Sequence, residues 1–210
     1  MSAYQTDEEQ VEAIKAWWKE NGTSVIVGAV LGFGIIFGWQ GWNKYQVSQG
    51  EAASARFTVM ENAVAKGDET AAIAAAKQVI GEFPDTVYGT FASMQLAKLS
   101  YEKGEKTVAR QHLEWAMHNA VDESLAELAR LRLARLLIDM NEVDAANGVI
   151  DGAGDSSLAG EFAILLGDLA LLNGDEGAAR AAYQDALSKG VNDSDFLRMK
   201  MIEVAEVPAS

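Results

Sequence analysis

Between Ser24 and Trp39 the chain carries no charged side chain, and the apolar character continues through Gln40 to Trp42. With Gly22 and Thr23 in front, the run reaches about 20 residues, the length a helix needs to cross a hydrocarbon core of about 30 Å. Trp17 and Trp18 precede it, and Trp39, Trp42 and Tyr45 close it. Trp18 and Trp39 lie roughly 31 Å apart along a helix, so both indoles fall at headgroup level as an aromatic belt. A cleaved signal peptide has a short basic leader and small residues after its core. Here the leader contains five acidic residues, and Trp-Gln-Gly-Trp follows the core. The pattern predicts an uncleaved anchor: a leader over 1–21, a transmembrane helix over 22–43 and a separate domain over 44–208. Lys15 and Lys19 flank the span closely on one side, Lys44 and Arg56 more loosely on the other. This charge balance leans toward a cytoplasmic N-terminus. Gly28 and Gly32, and again Gly34 and Gly38, stand four residues apart, a spacing that lets a second membrane helix approach closely.

From residue 47 the polar and apolar positions alternate with helical period, predicting short amphipathic helices. Four similar turns interrupt them: Lys66-Gly67-Asp68-Glu69, Lys103-Gly104-Glu105-Lys106, Met140-Asn141-Glu142-Val143 and Asn173-Gly174-Asp175-Glu176. Gly or Asn stands where a helix ends in a left-handed residue, and an acid follows where the next helix begins. Five residues beyond each turn position stands an alanine: Ala72, Ala109, Ala146 and Ala179. Alanine there predicts close helix–helix approach. The last unit adds Leu166-Gly167, Tyr183 and Ala186, with Leu96-Ala97, Leu113 and Ala116 at the same offsets in the second unit. Leu133-Ala134, Ile150 and Ala153 complete the set. These offsets resemble the tetratricopeptide repeat, most clearly in the fourth unit. The resemblance implies stacked helical hairpins with a concave face lined by the first helix of each pair. Carried onto this chain, that face includes Phe91, Met94 and Tyr101, then Leu131, Arg135 and Ile138, then Ile164, Asp168 and Leu171. Several are large and apolar, suited to a peptide or partner helix. The predicted fold class is all-α: one transmembrane helix followed by a tetratricopeptide-like solenoid.

Charge changes the picture of partners. The net charge is −14, of which −3 belongs to residues 1–43, and so acidic a body repels phosphate backbones. Cysteine is absent, which removes disulfides and thiolate chemistry. His112 and His118 are six residues apart on one predicted helix and do not share a face, so neither a metal nor any other cofactor is expected. The Asp151–Asp155 stretch resembles a calcium loop only loosely and is expected to be an inter-helix connection. No nucleotide loop or nucleophile elbow occurs in a usable context. A non-enzymatic role follows.

The N-terminal stretch Tyr4-Gln-Thr-Asp-Glu-Glu-Gln-Val-Glu-Ala-Ile-Lys15-Ala-Trp17-Trp18-Lys19-Glu20-Asn21-Gly22, running directly into the glycine-rich span, resembles the YfgM family of Gram-negative inner-membrane proteins. The resemblance covers essentially the whole chain. It implies a periplasmic repeat domain and an ancillary role at the SecYEG translocon. It also implies partnership with the membrane-anchored chaperone PpiD, contact with exported client proteins and a link to a response regulator. From the residues alone two other roles stay open: a scaffold for envelope assembly, and a cytosol-facing adaptor that sequesters a signalling protein.

Overall fold

The computed structural model describes residues 7–153, 156–191 and 194–206. Tyr4, the Gly154–Asp155 end of the loop discussed above and the last residues of the 44–208 domain lie outside them. Among the described residues there are nine helices and no strand. They are α1 (Asp7–Ala65), α2 (Glu69–Glu82), α3 (Val87–Glu102), α4 (Lys106–His118), α5 (Glu123–Asp139), α6 (Val143–Asp151), α7 (Ala159–Leu172), α8 (Glu176–Ser188) and α9 (Ser194–Glu206). The chain divides into two compact units between Gln49 and Gly50.

In the first unit α1 is long and apolar enough to cross a membrane, and its apolar stretch is almost wholly unburied within the protein. Val30, Phe33, Ile35 and Phe37 are all exposed. A helix apolar on every side belongs in lipid rather than in a packed core. The helix has no break at residue 22 or 44 and continues to Ala65. Gly50 is followed by Glu51, the order seen in the turns, but Gly50 keeps a helical backbone, so the short helix expected from residue 47 is the end of α1 instead.

The second unit is built from repeated turns. Gly67, Gly104 and Gly174 have φ of 71°, 80° and 74°, and Asn141 has φ of 58°. Only Gly and, at some cost, Asn enter this region readily, which is why the four turns recur at these residues. Each turn closes with the same pair of bonds. Gly104 donates to the Tyr101 carbonyl at 2.8 Å and Glu105 to the Ser100 carbonyl at 2.8 Å. The equivalent pairs run from Gly67 and Asp68, from Asn141 and Glu142, and from Gly174 and Asp175. Two carbonyls left open at each helix end are thereby satisfied. The acid after the turn then acts by its length. Asp68 accepts from the Ala71 N–H at 3.0 Å and Asp175 from the Ala178 N–H at 2.8 Å. Glu105 and Glu142 make no such cap.

Close packing follows where alanine predicts it. Ala72, Ala146 and Ala179 are fully buried, and Ala109 is all but so. A first cluster joins Met60 of α1 to Ala75, Ala76 and Val79 of α2 and to Ala92 and Leu96 of α3. The main core runs from Met94 through Leu113, Leu133 and Leu137 to Phe162 and Leu169. The last cluster holds Ala163, Tyr183 and Ala186 with Leu197 and Val204 of α9. That helix closes the stack. Gly190, with φ of 77°, ends α8 as a fifth left-handed turn before it.

Candidate functional site

Two neighbouring hollows open on the second unit, and Arg135 lines both. The first has a volume of about 360 Å³ and lies between α3 and α5. Met94 and Ala97 of α3, Ala109 and Leu113 of α4 and Leu136 of α5 form its apolar floor. Lys98 and Tyr101 stand on one wall, and Arg132, Arg135 and Asp139 on the other. The second hollow, about 460 Å³, lies between α5, α7 and α9, lined by Arg135, Glu161, Ile164, Leu165, Asp168, Val191 and Phe196.

The structure therefore brings Met94, Tyr101 and Arg135 together in the first hollow, and Arg135, Ile164 and Asp168 together in the second. It does not bring in the others. Phe91 packs its ring 6.2 Å from Phe57, beside the Phe57–Tyr88 pair. Leu131 is buried in the main core, and Ile138 and Leu171 pack on the clusters as partly buried side chains. Met94 and Ile164 contribute edges of otherwise buried side chains, at 2% and 9% exposure, whereas Tyr101 at 46% offers a real surface. Asp168 is already engaged. The Tyr183 hydroxyl donates to it at 2.7 Å and Lys200 of α9 at 2.5 Å.

Lys98, Arg132, Glu161 and Phe196 are lining residues that the repeat pattern alone did not nominate. Lys98 stands three residues before Tyr101, and Arg132 three before Arg135. That spacing puts each pair on one helix face and was the available signal. Phe196 carried none, because α9 has no turn-acid-alanine signature.

Charges around the hollow are largely matched. Lys106 donates to Asp139 at 2.7 Å. The hydrogen bond from Lys106, followed by one from Tyr101, holds the Asp139 carboxyl below its ordinary range. The same bond to Asp139 raises Lys106. Both groups are solvated, so this pair and the Arg110–Glu142 pair at 2.8 Å stabilise little. They tie α4 to the end of α5 and the turn that follows it. On α4, burial first and then the Lys77 charge push His112 below its usual value. Its backbone carbonyl accepts from the Ser93 hydroxyl at 2.8 Å. His118 is exposed, with Nδ1 2.7 Å from the Glu114 carbonyl. Among the described residues no group of His, Cys, Asp and Glu is arranged to hold a metal ion.

In the first unit, a Cβ built at Gly28, Gly32, Gly34 or Gly38 meets nothing within 4 Å, so these glycines leave bare strips on α1. Trp17 and Trp18 stack obliquely at 6.4 Å before the span, and Trp42 and Tyr45 at 6.1 Å after it.

Residues 15–206 match the family described as tetratricopeptide repeat-like domain. A relative from Escherichia coli (strain K12) is 33% identical over 203 residues, covering 96% of this chain and 98% of the relative. One from Haemophilus influenzae is 33% identical over 201 residues, covering 95% and 98%. A relative from Neisseria gonorrhoeae is 25% identical over 208 residues, covering 96% and 98%. Each of the three is named ancillary SecYEG translocon subunit. No solved structure matches. The relatives' shared name is that of an accessory subunit, and the non-enzymatic role expected of this chain agrees with it. With a repeat-like domain over nearly its whole length and two relatives a third identical end to end, the chain belongs to the YfgM family of ancillary SecYEG translocon subunits.

Proposed function

We propose that this protein is a single-pass inner-membrane accessory of the SecYEG translocon. Its N-terminus lies in the cytoplasm and its repeat domain in the periplasm, where it works with a PpiD-like membrane chaperone on emerging exported proteins. The observation that carries this reading is the open hollow between α3 and α5, an apolar floor walled by Tyr101, Lys98, Arg132 and Arg135. Such a slot suits an extended or helical segment of another protein. The exposed apolar surface of α1 supplies the tether. Anchoring raises the local concentration of the domain near membrane partners, so modest contacts suffice. The bare glycine strips of α1 offer a second helix two close-packing faces in the bilayer.

The test is topology. A reporter active only in the periplasm, fused after Ser210, is expected to be active. Activity of a cytoplasm-only reporter at the same position would overturn the orientation. It would turn the domain into a cytosol-facing adaptor, the arrangement in which a soluble response regulator is the natural partner.

A further inference from the structure

Most cations of the second unit are spoken for. Lys103 pairs with Glu69, Lys106 with Asp139, Arg110 with Glu114 and Glu142, Lys189 with Asp185, and Lys200 with Asp168. Arg130 donates to the Gly152 carbonyl and Arg180 to the Val204 carbonyl. Arg132 and Arg135 stand out because, unlike Arg56, Lys66 and Lys77, which also lack an ion pair among the described residues, they line the α3–α5 hollow. Among the described residues neither has an acidic group within ion-pair distance, although acids outnumber bases 31 to 17 in the chain. Both are exposed, both rise from α5, and both line the same hollow. Lys98 faces them from α3, held only loosely by Glu102 at 3.8 Å. The one acid on this wall, Asp139, is neutralised by Lys106. In the adjoining hollow Glu161 lines the same walls as Arg135 without an ion pair to it, and Asp168 is engaged by Lys200 and Tyr183.

We propose that the α3–α5 hollow selects an acidic segment with an apolar anchor: one large apolar side chain seated over Met94, Ala97, Leu113 and Leu136, with carboxylates on either side held by Arg132, Arg135 and Lys98. This deepens the groove function proposed above and rests on it. A guanidinium presents a planar fork that matches a carboxylate through two parallel bonds, so two free arginines on one helix face fit an acidic strand better than a point charge does. The overall charge of −14 does not forbid it. At physiological ionic strength charges beyond about 8 Å are screened, and an incoming carboxylate senses chiefly the three cations of the wall.

The full chain in detergent micelles would be titrated against three fluorescein-labelled peptides. All share the same Leu and Phe positions; the intervening residues are Asp and Glu in the first, Asn and Gln in the second, and Lys in the third. At physiological ionic strength the acidic peptide is expected to bind about tenfold or more tighter than the amide peptide, and the Lys peptide most weakly. The combined Arg132→Gln and Arg135→Gln variant should erase the preference for the acidic peptide over the amide peptide. Both side chains are exposed, so the fold should survive, checked by thermal melting. Equal binding of the acidic and amide peptides to the unaltered chain would overturn the charge selection but leave the groove function standing. Binding of none of the three, with Tyr101→Ala and the unaltered chain alike, would remove the groove function itself.

Discussion

Gly167 of α7 faces the ring of Tyr183, and a Cβ built there would come within 2.2 Å of a ring carbon. Tyr183 is fully buried and its hydroxyl is bonded to Asp168, so the ring has no direction in which to retreat. Overpacking a core costs about 1–3 kcal/mol, while Ala in place of Gly returns up to about 1 kcal/mol of helix propensity. Packing wins. Gly167→Ala is expected to destabilise the domain by roughly 1 kcal/mol in denaturant unfolding, and adding Tyr183→Leu should make the glycine replacement harmless. A Gly167→Ala chain as stable as the parent would contradict this packing. The opposite sign is expected at Glu105, whose side chain is one methylene too long to cap α4. Glu105→Asp recreates the bond seen at Asp68 and Asp175 and should stabilise by about 0.5–1 kcal/mol; a loss of stability would show that the cap geometry is not transferable between turns. At this scale the sequence disclosed a good deal, because Gly67, Gly104, Asn141 and Gly174 are forced by backbone sterics that no tertiary contact replaces. It did not disclose the engagement of Asp168, whose partner Lys200 lies 32 residues away in a helix outside the repeat.

Among the elements, those with a turn signature were legible and the others were not. Most ends of helices α2 to α8 fall where a left-handed residue, a side-chain cap or Pro84 requires; the C-terminal ends of α4 and α6 and the start of α7 carry no such signal. The end of α1 shows the limit: neither Gly41 nor Gly50 interrupts it, since a lone glycine inside a helix weakens it without ending it. Its last turns then supply Met60 to the first core cluster, a role that no boundary residue announces. Helix α9 escaped for the converse reason. Its Leu197 and Val204 are buried against α7 and α8, yet it is a closing helix and repeats nothing before it. The nominated groove residues show the same division. The apolar positions Leu131, Ile138 and Leu171 went to packing, as apolar residues at helical spacing usually do. The wall is carried instead by Tyr101, Arg135 and their neighbours at three-residue spacing, Lys98 and Arg132.

For the molecule as a whole, the all-α class and the division into an apolar helix and a repeat domain follow from two independent periodicities. One is a charge-free run the length of a bilayer; the other is a turn recurring at 37, 37 and 33 residues. Partner identity follows from neither, because a groove records the chemistry of what it holds and not its name. The family supplies the translocon, and the free arginines supply the charge of the segment. The central claim is that the α3–α5 hollow is where this membrane-anchored chain meets the export machinery. A photo-activated crosslinking residue would be placed at Tyr101 in living cells, with Val108 as the control, an exposed position on α4 that does not line the hollow. Crosslinks to translocon subunits, the membrane chaperone or exported chains are expected from Tyr101 and not from Val108. The same products from both positions, or none from Tyr101 in a folded and membrane-inserted chain, would contradict the claim.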